Sequence, residues 1–137
     1  MTLLDKENLK INDWKLKNSD NWASPKWILD LFEGFYDPCP LNSKENGLLL
    51  DWKDKTYVNP PYSNPEPFIR KAIEENKKGK FIVMLLPVDT STKWFLALKE
   101  AKAHIILPNE RLKFNGSNKN ARWACMLVIL EKGGNKE

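Results

Sequence analysis

Apolar runs and amphipathic stretches alternate along this chain. "KFIVMLLPV" (residues 80–88) is almost wholly apolar, the pattern of a strand buried on both faces. "HIILP" (104–108) and "RWACMLVIL" (122–130) read the same way, and "KTYV" (55–58) is a shorter β-branched and aromatic run. "FYDPCPLN" (35–42) is a short strand candidate stopped by Pro38, and "GLLLDW" (47–52) is another. Three stretches carry a helical period instead. In "NWASPKWILDLFEGF" (21–35), Ser24 suits the N-cap and Pro25 the first helical position. Trp27, Ile28, Leu31 and Phe32 then share one face, and Gly34 closes the helix. Residues 66–78, "EPFIRKAIEENKK", turn Phe68, Ala72 and Ile73 inward and end at Gly79. "STKWFLALKEAKA" (91–103) is the last, with Thr90 or Ser91 as its cap.

Strands alternating with amphipathic helices predict an α/β sheet with helices on its faces. No helical pattern separates the final two strands, which predicts an antiparallel hairpin at one edge. Residues 1–20 read as a polar N-terminal arm, 21–131 as a single domain and 132–137 as a flexible tail. In such sheets ligands sit at the carboxyl ends of the strands. "DPCPLN", "DW", "NPPYS", "PVDTS" and "LPNERLKF" all fall at strand ends.

Composition narrows the partners only slightly. The 137 residues carry 22 basic and 18 acidic side chains, a net charge of +4 that suits a polyanion without requiring one. No apolar run reaches bilayer length, and the amino terminus lacks the apolar core of a signal peptide, so a cytoplasmic setting is expected. Cys39 and Cys125 form no CxxC pair, which points to neither a zinc site nor a disulfide framework. The lone histidine, His104, is expected in an ordinary structural position.

The sharpest chemistry lies in "TYVNPPYSN" (56–64). Two adjacent prolines cannot continue a strand, so the chain leaves the sheet at Asn59 on a stiff ledge. The amide oxygen of Asn59 and the carbonyl of Pro60 are acceptors for an NH₂ group, and the Tyr62 ring can stack on a flat partner. That is a pocket for a planar amine, a nucleobase or a glutamine amide. The alternative is a plain strand-ending turn.

"NPPY" resembles the catalytic motif of S-adenosylmethionine-dependent methyltransferases acting on exocyclic amines. With "DPCPLN", "GLLLDW", "MLLPVDTSTKWF" and "RLKF" in order over about residues 22–130, the chain is similar to the small phage-type DNA N6-adenine methyltransferases. The resemblance implies a minimal Rossmann-like class I methyltransferase sheet, S-adenosylmethionine as donor, double-stranded DNA as partner and methylation of adenine N6. Cytosine N4, a protein glutamine, or a non-catalytic DNA-binding role on the same fold are the alternatives. Carried over by position, Asn59 and Pro60 hold the amine, Pro61 keeps the loop rigid and Tyr62 stacks on a flipped base.

Asp37 falls where relatives hold the methionine part of the donor, with Cys39 as a further donor-binding candidate; Asp37 also suits a turn before proline. Asp51, with Trp52 beside it, is placed at the donor's adenine, or is a solvated strand end. Trp22, Ser24 and Pro25 match the segment near the donor, though helix capping alone explains the latter two. Lys93 is a phosphate-contact candidate or a solvated charge, and the basic loop carrying Arg111, Lys113, Lys119 and Arg122 is a DNA-backbone candidate or an exposed hairpin loop. Where many methyltransferases have a glycine-rich loop this chain has "DPCPLNSKENG", so donor binding rests more on side chains.

Overall fold

A computed structural model describes residues 24–40, 46–108 and 124–131. Within them the strands are β1 Lys55–Val58, β2 Phe81–Pro87, β3 His104–Ile106 and β4 Cys125–Leu130. The helices are α1 Lys26–Leu31, α2 Glu66–Lys77 and α3 Lys93–Glu100, with a 3₁₀ turn at Gly47–Leu49. The strands form one open sheet in the order β1-β2-β4-β3. β1 and β2 run parallel, with α2 as the crossover between them, and β4 is antiparallel to both β2 and β3. The carboxyl ends of β1, β2 and β3 therefore meet the amino end of β4 along one edge. The antiparallel pair expected at a sheet edge is present, with β3 outermost.

The alternation of β2 explains why its sequence is apolar throughout. Ile82, Met84 and Leu86 enter a cluster with Phe68, Ile69 and Ala72 of α2 and Trp94 and Leu98 of α3. Val83 and Leu85 enter a second cluster with Ile28 of α1, Tyr57, Cys125 and Leu127. Helices thus cover both faces, as a buried central strand requires.

Several elements differ from the sequence expectation. Of the expected 35–42 strand, the described residues 35–40 give only a bridge, Tyr36 alongside Thr56, because Pro38 cuts the pairing short. Residues 47–52 are not a strand: the Asn46 side chain accepts from the Leu48 N–H at 2.9 Å and turns the chain into 3₁₀. β3 is an edge strand, so His104 and Ile106 are exposed rather than buried. His104 Nε2 lies 3.5 Å from Glu131 Oε2. In α1 only Ile28 is buried and Phe32 is half-buried; Trp27 and Leu31 point outward. The cap of α3 is Thr92, which accepts from the Phe95 N–H at 3.2 Å, not Thr90 or Ser91. Among the described residues no helix is long and apolar enough to cross a membrane.

Opposite the carboxyl edge, Glu75 of α2 is fully buried. Its carboxylate accepts from the Trp52 N–H at 3.2 Å and from Lys78 at 2.8 Å, and also pairs with Lys80 and Lys71. Lys80 donates in addition to the Trp52 carbonyl. Burial alone pushes the Glu75 carboxyl up, but hydrogen bonds from Lys78 and Lys80 and the charges of Lys71 and Lys80 bring it down to about 2.

Because this folded value lies below the ordinary 4.5, the stabilisation is present above pH 4.5 and is lost as pH falls toward about 2. Glu75→Ala strands Lys71 and Lys80 beside an empty site and is expected to cost about 3–5 kcal/mol in urea denaturation at pH 7. The variant also loses that part of the wild type's acid-dependent destabilisation which Glu75 contributes.

Candidate active site

β1 stops at Val58 because Pro60 and Pro61 cannot extend it. Both prolines are buried, Asn59 and Tyr62 are half-buried, and Asn64 N–H closes a turn on the Pro61 carbonyl at 3.2 Å. β2 runs three residues beyond the last paired position, Val58 with Met84. Val88 N–H points to β4, bonding Ala124 O at 2.8 Å, and Phe81 N–H points to β1, bonding Asp54 O at 2.8 Å. By that alternation Leu85 and Pro87 present their main-chain groups on the β1 side, after β1 has left.

The two positions are settled differently. Pro87 has no N–H to leave unpaired, which is why a central strand tolerates it. The Leu85 carbonyl accepts from the Tyr62 hydroxyl at 3.2 Å, and Cys125 Sγ lies 3.6 Å from that hydroxyl oxygen. Burial, then the Cys125 charge, pushes the Tyr62 phenol well up, so it stays protonated and able to donate. The motif tyrosine is thereby clamped to the sheet, and the ledge is braced from two sides.

Asp37 reaches the same edge. Tyr36 N–H bonds Lys55 O at 2.9 Å and Tyr57 N–H bonds Tyr36 O at 2.8 Å, which holds this segment parallel to β1. Asp37 Oδ1 accepts from Cys39 N–H at 2.8 Å, the turn expected of Asp before Pro. Burial raises the Asp37 carboxyl, and the Cys39 bond opposes that rise. Among the described residues no lysine or arginine forms an ion pair with it. Cys39 is buried in the α2-side cluster.

Gly47 packs directly on this turn: a Cβ there would lie 1.9 Å from the Pro38 carbonyl oxygen. The Trp52 indole N–H donates to Gly47 O at 2.9 Å, and the ring is buried, so Trp52 supports the turn from below. Asp51 is exposed, near enough to Lys78 for its charge to help raise that amine after the larger effect of Glu75. It therefore sits toward the amino ends of β1 and β2, not beside Asp37 and Asn59. A cavity of about 650 Å³ at that opposite end is lined by Tyr36, Trp52, Lys53 and Lys55 among others. It holds none of the ledge residues.

Ser24 does not cap α1; Pro25 is the cap residue, and no side chain bonds the first turn. The Ser24 hydroxyl lies instead 2.8 Å from the Tyr57 hydroxyl. Asp89 Oδ1 accepts from Ser91 Oγ at 2.7 Å, a turn that precedes α3. Lys93 is exposed at the first residue of α3, on the carboxyl edge. A cation gains nothing from a helix amino terminus, so helix stability does not account for it. Trp22, Arg111, Lys113, Lys119 and Arg122 lie outside the described residues. Tyr57 and Gly47 went unrecognised in the sequence. Tyr57 has its partner 33 residues away, and Gly47 reads locally as an ordinary Asn-Gly turn.

An amide-and-aromatic ledge and a half-buried carboxylate thus share the carboxyl edge of a mixed α/β sheet. A family model described as DNA N-6-adenine-methyltransferase (Dam) matches residues 12–133, and the chain belongs to that family. It is 35% identical over 131 residues to a DNA N-6-adenine-methyltransferase of Haemophilus phage HP1, covering 82% of this chain and 73% of that protein. It is likewise 35% identical over 104 residues to a DNA N-6-adenine-methyltransferase of Escherichia phage T1, covering 64% of this chain and 44% of the T1 protein. No solved structure matches at a significant level.

Because the Pro38 carbonyl is main chain, Gly47→Ala cannot be absorbed by a side-chain rotation. The variant is expected to lose about 1–3 kcal/mol in denaturant unfolding, as overpacking generally costs. It also displaces the Asp37 turn, because that turn ends at the Pro38 carbonyl on which Gly47 packs.

Proposed function

We propose that this chain transfers a methyl group from S-adenosylmethionine to the N6 amine of adenine in DNA, on a minimal Rossmann-like class I methyltransferase sheet. The observation that carries this is the intact Asn59-Pro60-Pro61-Tyr62 ledge, braced on β2 and sharing its edge with Asp37. Family membership and the names of both phage relatives support the choice of adenine over cytosine or glutamine.

The described residues fit the donor. Asp37 is a desolvated carboxylate with no lysine or arginine ion pair among them, which suits the ammonium of a methionine moiety. When bound, the donor supplies a methyl group on a positively charged sulfur. The chain's own work is to position and to polarise. Asn59 and the Pro60 carbonyl accept hydrogen bonds from the flipped base's amine, which raises electron density on its nitrogen. Pro61 fixes the loop so that both acceptors stay aimed, and the Tyr62 ring packs against the base. Direct in-line displacement needs no nucleophile from the protein. Orientation supplies the rate.

Lys93, with the basic residues at 111, 113, 119 and 122, is proposed to hold the DNA backbone, giving salt-sensitive binding.

The test is incubation with tritium-labelled S-adenosylmethionine and unmethylated plasmid DNA, followed by nucleoside mass spectrometry. Wild type yields N6-methyldeoxyadenosine, and Asn59→Ala lowers the yield on the order of 10²–10³-fold while donor binding persists. Label in N4-methyldeoxycytidine, or in protein, redirects the acceptor. DNA binding without donor binding supports the non-catalytic alternative.

A further inference from the structure

We infer that Tyr57 is a positioning residue for the donor half of the site, acting through its hydroxyl bond to Ser24; this rests on the donor chemistry proposed above. The Tyr57 side chain spans α1. Its hydroxyl meets Ser24 just before the helix, at 2.8 Å, and its ring stacks on Phe32 just after it, with centroids 5.3 Å apart and planes 13° apart. A six-residue helix is about 9 Å long, so a single tyrosine can grip it at both ends.

The main chain of Tyr57 ties the same residue to the site. Its N–H holds Tyr36 O at 2.8 Å, directly before Asp37, and Asn59 follows two residues later. Asp37 is close enough for its charge to reinforce the effect of burial on the Tyr57 phenol, which stays protonated. Any shift of this ring moves the start of α1, the Asp37 turn and the root of the Asn59 ledge together.

Stability does not require the hydroxyl pair. Ser24 and Tyr57 are 3% and 4% exposed, and replacing both partners of a buried hydrogen bond by apolar groups of similar shape is often nearly neutral. What the pair adds is direction. Tyr57 lies among apolar residues, whose packing is not directional; a hydroxyl–hydroxyl bond at its tip adds a directional contact to the start of α1. Ser24, which the motif places near the donor, then serves the site through Tyr57.

The test uses the full chain with Tyr57→Phe, Ser24→Ala, the double variant and Ser24→Thr. Donor affinity is measured by calorimetry, kcat and KM for donor and DNA by label incorporation, and stability by urea midpoint. Tyr57→Phe is expected to raise the donor Kd and KM about tenfold while kcat at saturating donor changes less than about threefold. The double variant is no weaker than the worse single one, and Ser24→Thr binds nearly as wild type. The double variant's urea midpoint stays close to wild type, which separates positioning from folding. If Ser24→Ala fails to fold because it orphans the tyrosine hydroxyl, Tyr57→Phe and the double variant carry the comparison. Donor affinity unchanged in both, or losses that track the urea midpoint and fall equally on donor and DNA, would overturn the inference while wild-type methylation leaves the proposed function standing. Wild type that binds no donor overturns both.

Discussion

A single buried carboxylate, Glu75, decides how the chain enters its sheet. It receives the Trp52 N–H just before β1 and the Lys80 ammonium just before β2, and it belongs to the helix that connects them. A carboxylate with no accessible surface is costly unless its lone pairs are filled, and here they are filled from three stretches of chain at once. Apolar packing on α2 holds the layers together but leaves them free to slide. The charged knot fixes where β1 begins relative to β2, and the parallel register follows from it. Since β1 has only four residues, its starting point also determines where Asn59 leaves the sheet.

The site then arises at the other end of the same strands, from unequal lengths. β1 ends while β2 continues, and the difference opens a notch in the ladder. Pro87 and the Tyr62–Leu85 bond are two answers to that notch. The Tyr36 bridge brings the Asp37 turn up to its rim, and Gly47 leaves room for that turn to pack without a side chain between backbones. No residue at this edge needs unusual chemistry of its own. The work lies in where main-chain segments stop.

What was legible in the sequence follows the same physics. β2, β4, α2 and α3 announce themselves because burial on one or two faces imposes a period over six residues or more. The ledge was legible because proline leaves few options, and Asp37 because it precedes one. Residues 47–52 were not: a short apolar run has no resolvable period, and the decisive Asn46 side-chain bond is a choice between backbone states rather than a pattern. Ser24 shows the same limit. It had the composition and position of an N-cap, yet a tyrosine hydroxyl distant in sequence was the better partner. Asp51 looked like its neighbours in the motif order, but the chain runs the length of β1 between it and Asn59. Motif order does not report which edge of a sheet a residue occupies.

The bond from Tyr62 to the Leu85 carbonyl has a consequence for motion. A loop held only by apolar contacts can breathe on fast timescales, but this one cannot lift without leaving a main-chain acceptor of the central strand without its partner. Its excursions are therefore tied to fraying of the sheet, and the Tyr62 ring is held in place. On the function proposed above, an arriving base would meet a stacking surface already formed and would not bear the entropy of ordering it. In such an arrangement the adaptable party is the nucleic acid.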